Sequence, residues 1–214
     1  MRFRAIAFDF NGTLSHDEPV LCAVYRELFA ARGRPLAPDE YYSTLAGHSE
    51  EAIIRSWLGV EDAELADLVE ERVDRYLALA GSGDTVPAAV RHAVAYAAER
   101  VPVTVVSGAF RREIEPVLVG AGIDGLISLL IAADDVERGK PDPEGYLLAI
   151  AGLDGDLHTA EVVAFEDTEA GVASAKAAGL HCVAVLGTHP PERLGGADEL
   201  VEVVDVDVVM RLLG

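Results

Sequence analysis

Four apolar stretches of this chain end on, or lead to, residues that carry polar chemistry. FRAIAFDF (3–10) delivers Asp9, with Asn11 two positions on; VPVTVVS (101–107) ends at Ser107-Gly108. LISLLIAA (126–133) leads to Lys140-Pro141, and EVVAFED (161–167) ends at Glu166-Asp167. Singly, each has a plain structural reading. Asp9 can cap a turn, Ser107 can bond the backbone at a helix start, and Lys140 can be a solvated loop lysine. Glu166 and Asp167 suit a helix N-terminus. Jointly, they fall at successive strand ends, and open parallel sheets bind ligands beyond the carboxyl ends of their strands.

Together these residues suit phosphoryl transfer. A carboxylate such as Asp9 can attack phosphorus and form an aspartyl phosphate. The charge on the phosphoryl oxygens then needs neutralising. Lys140 offers a point charge, Ser107 a hydroxyl, and the turns near Phe10, Thr13 and Gly108 further donors. Two anions would repel without a cation between them. Mg²⁺ suits that role, since it accepts one or two carboxylates and keeps several waters. Asp9, Asp167 and the main-chain carbonyl of Asn11 are the expected ligands, with Glu166 behind them.

The elements that must position these groups are legible as alternating patterns. PVLCAVYRELFAAR (19–32) has helical apolar spacing, with Pro19 near its start and Gly33 past its end. Further helices are expected near 49–58 and 62–80, with no strand between 19 and 80. AGSGD (80–84) reads as a flexible link. Beyond it, helices near 87–99, 111–120, 143–151 and 169–178 alternate with strands at 101–107, 126–133, 161–167 and 181–186. A short strand near 199–204 and a terminal helix finish the chain. This order predicts an α/β fold with a parallel, Rossmann-like, doubly wound sheet and an inserted all-helical unit. The expected division is a core of 1–15 and 85–214 and a helical cap of 16–84.

The chain has 214 residues and a formal net charge of −20, from 37 acidic and 17 basic residues. Such a surface repels phosphate backbones, so nucleic acid and anionic membranes are not expected partners. Cys22 and Cys182 lie in apolar contexts and read as buried free thiols. No apolar run is long enough to span a bilayer and no signal peptide is apparent, so a cytoplasmic protein is the expectation. Monomer and homodimer both remain open.

The motifs DFNGTL (9–14), VVSG (105–108), GKPDPEGY (139–146) and FEDTEAGVASAKAAGL (165–180) resemble those of the haloacid dehalogenase superfamily. The helical insertion is similar to the cap of its phosphoglycolate phosphatase and β-phosphoglucomutase branch. The resemblance implies Mg²⁺-dependent hydrolysis of a small phosphate monoester, with Asp9 as nucleophile and Ser107 and Lys140 on the phosphate. It places Mg²⁺ at Asp9, the Asn11 main chain and Asp167. It also implies a cap that selects the substrate, with Arg55, Arg72 or Arg75 meeting a second anionic group.

In family phosphatases the residue two after the nucleophile is usually Asp, which protonates the leaving oxygen and then activates water. Asn11 stands there, and an amide cannot titrate. Loss of such a group costs on the order of 10² to 10⁴ in rate, so Asn11→Asp is expected to raise turnover by roughly 10². Four accounts of Asn11 compete: a trap engineered from a native Asp, a natural variant, a different reaction, or a protein that binds a phosphorylated metabolite without turnover. In a natural variant, turnover is slow or His16, Asp17, Glu18 or His48 carries the proton. Among different reactions, imine-forming carbon–phosphorus hydrolysis is disfavoured, because the lysines are Lys140 and Lys176, outside the cap. The Glu166-Asp167 pair argues against a haloacid dehalogenase, and Leu21, where mutases of the branch carry histidine, against a phosphomutase.

Overall fold

The structure, a computed structural model, describes residues 3–153 and 156–214. Six strands form one parallel sheet: β1 (Ala5–Phe8), β2 (Val103–Val106), β3 (Leu129–Ile131), β4 (Val162–Glu166), β5 (His181–Val185) and β6 (Glu199–Val201), in the order β3-β2-β1-β4-β5-β6. The strands β1, β2 and β4 are buried along their whole length. A parallel sheet covered by helices on both faces demands such continuous apolar runs.

Alternation along the strands sends successive side chains to opposite faces. Ile6 and Phe8 join one apolar cluster with Val103, Val105, Val163 and Phe165, and Phe8 stacks on Phe165 at 5.0 Å. Ala5 and Ala7 join the other, with Ala164, Cys182 and Tyr146. Both cysteines are buried and free. The element pattern expected from the sequence is present throughout, with shorter strands than the apolar runs suggest.

Between β1 and β2 the chain is helical: α1 (Glu18–Ala30), α2 (Pro38–Glu40) running into a π-helical turn at Tyr41–Leu45, α3 (Glu50–Leu58), α4 (Asp62–Ala80) and α5 (Ala88–Ala98). The short α2 and its π-helical turn have no counterpart in the sequence pattern, which is too brief there to show a period. α1 and α3 pack on α4, around the aromatic side chains of Tyr25, Phe29, Tyr41 and Trp57. The remaining helices are α6 (Arg111–Ala121), α7 (Glu144–Ala151), α8 (Glu169–Ala177) and α9 (Val206–Leu213). Among the described residues no helix is long and apolar enough to cross a membrane.

Two chain crossings join the α1–α4 unit to the sheet, and they are tied to each other. The Ser15 hydroxyl donates to Thr85 Oγ1 at 2.8 Å, and the His16 amide to the Thr85 carbonyl at 2.8 Å. The AGSGD stretch is not the loose link its composition predicts. Gly83, with φ +78°, is buried, and a Cβ there would strike the backbone of Gly120 and Ala121 in α6. The glycines that suggest freedom are instead used for close backbone approach.

Candidate active site

The strand order reverses direction at β1, with β2 on one side and β4 on the other, and a crevice opens at the carboxyl ends there. Asp9 follows β1, Ser107 follows β2 and Glu166-Asp167 closes β4. Lys140 lies on the segment between β3 and α7 and reaches back into this crevice. Its Nζ donates to Asp9 Oδ1 at 2.5 Å and to the Val106 carbonyl at 2.9 Å, and pairs with Glu166 Oε1 at 2.6 Å. Glu166 Oε1 also accepts from the Tyr146 hydroxyl at 2.5 Å. Ser107 lines the crevice while its Oγ accepts from the Ala109 amide at 3.1 Å, so it fixes the turn before α6 as well.

Asp9, Glu166 and Asp167 are all buried, and one carboxylate oxygen from each lies within 4.8 Å of the others. Oε2 of Glu166 lacks a hydrogen-bond partner, and Asp167 has only the Thr188 side chain close by. Gly12, with φ +76°, makes this crowding possible, because any side chain at that position would run into the Asp167 carboxylate. Burial raises Asp9 above the ordinary carboxylate range, against the pull of Lys140. Burial together with the Asp9 and Glu166 charges pushes Asp167 well up. Burial takes Glu166 to about 7, with Lys140 opposing. Burial disfavours the Lys140 ammonium, but Asp9 and Glu166 outweigh it and keep it charged. Oxygen-only, with one ammonium among three buried carboxylates, this donor set fits a hard divalent cation.

Asn11 is engaged from behind. Its Nδ2 donates to Asp17 Oδ2 at 2.9 Å, and the Tyr76 hydroxyl donates to the same oxygen at 2.5 Å. Asp17 is fully buried, and its Oδ1 has no partner. Burial raises Asp17 to about 6, with the hydrogen bonds from Tyr76 and Asn11 opposing. Glu18, the next residue, is only partly buried and faces the other way, into the cavity above Asp9. It accepts from the Tyr41 hydroxyl at 3.0 Å. Burial, then the Asp17 charge, raises it to about 7.

That cavity has a volume of about 480 Å³. Of the residues singled out from the sequence, Asp9, Asn11, Glu18, His48, Arg72, Ser107, Gly108, Lys140 and Asp167 line it. Phe10 and Thr13 do not; both are fully buried beneath the loop, and the Thr13 hydroxyl is unpartnered. His16 is exposed outside the cavity. Arg55 pairs with Asp62 at 2.8 Å on the outer surface, beside a separate shallow groove. Arg75 pairs with Glu71 at 2.7 Å and with Glu27 at 3.5 Å, also away from the cavity. Helix phase turns both arginines outward.

Arg72 alone of the three points in, and it is neutralised there. It forms an ion pair with Glu113 of α6 and lies 3.6 Å from Glu50 of α3. Tyr76, Glu50 and Glu113 carry no motif that sequence reasoning could have used, since each acts through a partner distant in the chain; Tyr146 closes the GKPDPEGY motif, but its bond to Glu166 is visible only in the fold.

Residues 3–179 match the family model of haloacid dehalogenase-like hydrolases. Validoxylamine A 7'-phosphate phosphatase of Streptomyces hygroscopicus subsp. limoneus is 33% identical over 94% of this chain and 93% of its own. Phosphoglycolate phosphatase of Pectobacterium atrosepticum is 32% identical over 84% of this chain and 79% of its own. The crystal structure of CbbY from Rhodobacter sphaeroides in complex with phosphate superposes with a TM-score of 0.84 at 26% identity, covering 94% of this chain and 95% of that one. An acid at the end of β1, a lysine on it, an acid pair closing β4 and this breadth of likeness agree: the chain belongs to the haloacid dehalogenase-like hydrolases and is a hydrolase of their phosphatase branch.

Proposed function

We propose that the protein hydrolyses a small phosphorylated metabolite through an aspartyl phosphate on Asp9, with Mg²⁺ bound and Glu18 moving the proton that Asn11 cannot. The observation that carries this reading is the Asp9 carboxylate itself. It stands at the sheet's switch point with Lys140 Nζ at 2.5 Å and opens into a cavity that also holds Glu18. Asp9, Asp167 and the Asn11 main chain would hold Mg²⁺, with Glu166 supporting them; the ion supplies charge neutralisation between carboxylate and phosphate. The α1–α4 unit, residues 16–84, acts as a cap that keeps water from the site.

Lys140 and the Ser107 hydroxyl orient the phosphoryl oxygens. An Asp9 oxygen forms a bond to phosphorus as the ester P–O bond breaks, and protonated Glu18 gives its proton to the leaving oxygen. Glu18 then takes a proton from water, whose oxygen attacks phosphorus and frees Asp9 and inorganic phosphate. Of the four groups that could stand in for an acid at position 11, His16 is outside the cavity and Asp17 lies behind Asn11. His48 and Glu18 line the cavity, and Glu18, raised to about 7, is matched to giving and taking a proton near neutral pH.

The relatives support a monoester substrate, since two of them are named as phosphatases of monophosphorylated compounds. We place the protein in the cytoplasm, as a monomer or homodimer. The test is a Mg²⁺-dependent assay on a panel of sugar phosphates and phosphoglycolate, with Glu18→Gln in parallel. Glu18→Gln is expected to lower kcat on the order of 10²-fold or more and to remove the limb of the pH profile near neutrality. A wild-type protein that binds phosphate esters in calorimetry and turns none over would instead be a binding protein.

A further inference from the structure

The segments that follow β1, β2, β3 and β4 build the site, and β5 brings one more group to it. β5 lies beside β4, and the chain leaves it through Leu186, Gly187, Thr188 and His189. Thr188 is half-buried, and its side chain reaches Asp167. Gly12 marks the place where the two meet. A Cβ there would collide with Asp167 Oδ2 and stand 2.7 Å from Thr188 Oγ1, so both oxygens border the same point. A carboxylate accepts and a hydroxyl can donate, which makes Thr188 the donor of this contact.

The loop is pinned on both sides of Thr188. The Leu186 amide donates to the Val201 carbonyl at 2.9 Å. His189 is 6% exposed, and its Nδ1 accepts from Arg193 at 3.3 Å. Arg193 also pairs with Glu169 of α8 at 3.3 Å. Gly47 of the helical unit closes over the same loop: a Cβ there would lie 3.5 Å from His189 Nε2 and 3.3 Å from Thr168 Cγ2. A group that orients another must itself be held in place, and these contacts hold Thr188.

Asp167 has need of an orienting donor. Lys140 pairs with Asp9 and Glu166, and the Tyr146 hydroxyl donates to Glu166. Neither serves Asp167, which has Thr188 beside it instead. Carboxylates that ligate a metal are steadied by hydrogen bonds from behind, and losing such a partner costs about 10- to 100-fold in metal affinity.

We infer that Thr188 is a positioning residue whose hydroxyl fixes the Asp167 carboxylate in the orientation that Mg²⁺ requires. This rests on the Mg²⁺-dependent reading of the same site. Mg²⁺ demands near-ideal octahedral geometry, whereas Ca²⁺ accepts irregular coordination. Loss of the hydroxyl therefore falls harder on Mg²⁺ than on Ca²⁺.

The test is differential scanning calorimetry of wild type, Thr188→Val and Thr188→Ser, each titrated with Mg²⁺ and, separately, with Ca²⁺. The rise of Tm with ion concentration gives each apparent Kd. Thr188→Val keeps the branched shape and removes the donor. It is expected to weaken Mg²⁺ by about tenfold or more and Ca²⁺ by less than about threefold. Thr188→Ser keeps the hydroxyl and is expected to stay within about threefold of wild type for both ions. A Mg²⁺ response in Thr188→Val equal to that of wild type overturns the inference. So does an equal loss for the two ions, or a Thr188→Ser protein as weak as Thr188→Val. In those cases the wild-type response leaves the metal reading standing. A wild type whose Tm does not rise with Mg²⁺ overturns the metal reading and this inference with it.

Discussion

Asn11 and Asp17 form a pair in which the carboxylate sits one step behind the amide. Asn11→Asp would put a second carboxylate against Asp17 Oδ2, which now accepts from Asn11 at 2.9 Å. Two carboxylates sharing a site cannot both ionise. The gain of roughly 10² expected from an acid at position 11 therefore extends to higher pH in Asn11→Asp and returns to the ordinary carboxylate range in Asn11→Asp/Asp17→Asn. Steady-state kcat against pH across the four proteins of that cycle checks it. Asp17 also predicts a pH dependence of stability. Burial raises it from 3.8 to about 6 in the folded protein. A raised acid holds its proton better folded than unfolded, so its contribution is full below about pH 4 and is lost as the pH climbs through about 6. Asp17→Asn is expected to be more stable than wild type at pH 8, by up to roughly 2–3 kcal/mol, and to show little difference near pH 4. Urea unfolding at the two pH values measures both.

At the scale of elements, the apolar strand runs and the amphipathic helices were readable because each repeats over enough residues to reveal its period. The acids, serine and lysine of the site were readable because the sheet gathers strand ends at one edge. What could not be read is whatever depends on rotation or distant pairing. Arg55, Arg72 and Arg75 look alike in sequence, yet helix phase turns two outward and buries the third against Glu113, 41 positions away in the chain. Gly83 reads as a breaker, and only the fold reveals that α6 lies against it. The ion pair of Arg72 and Glu113 joins α4 to α6, with both side chains almost wholly buried. Removing one partner leaves a buried charge alone, so Glu113→Gln is expected to cost about 3 kcal/mol in chemical denaturation.

For the whole molecule, a net charge of −20 makes three buried carboxylates at one crevice an electrostatic liability in the absence of a cation. A divalent ion that binds only the folded state raises its stability with concentration. Mg²⁺ at millimolar levels is expected to raise Tm by several degrees. Asp167→Asn should unfold at a higher temperature than metal-free wild type and lose that response; differential scanning calorimetry with and without Mg²⁺ tests the pair.

The Lys140 ammonium, wedged between Asp9 and Glu166, has one more consequence. On the hydrolase reading, an arriving phosphoryl group would compete with the Asp9 and Glu166 carboxylates for that ammonium, so ligand binding and release of Asp9 Oδ1 from its ion pair would be coupled.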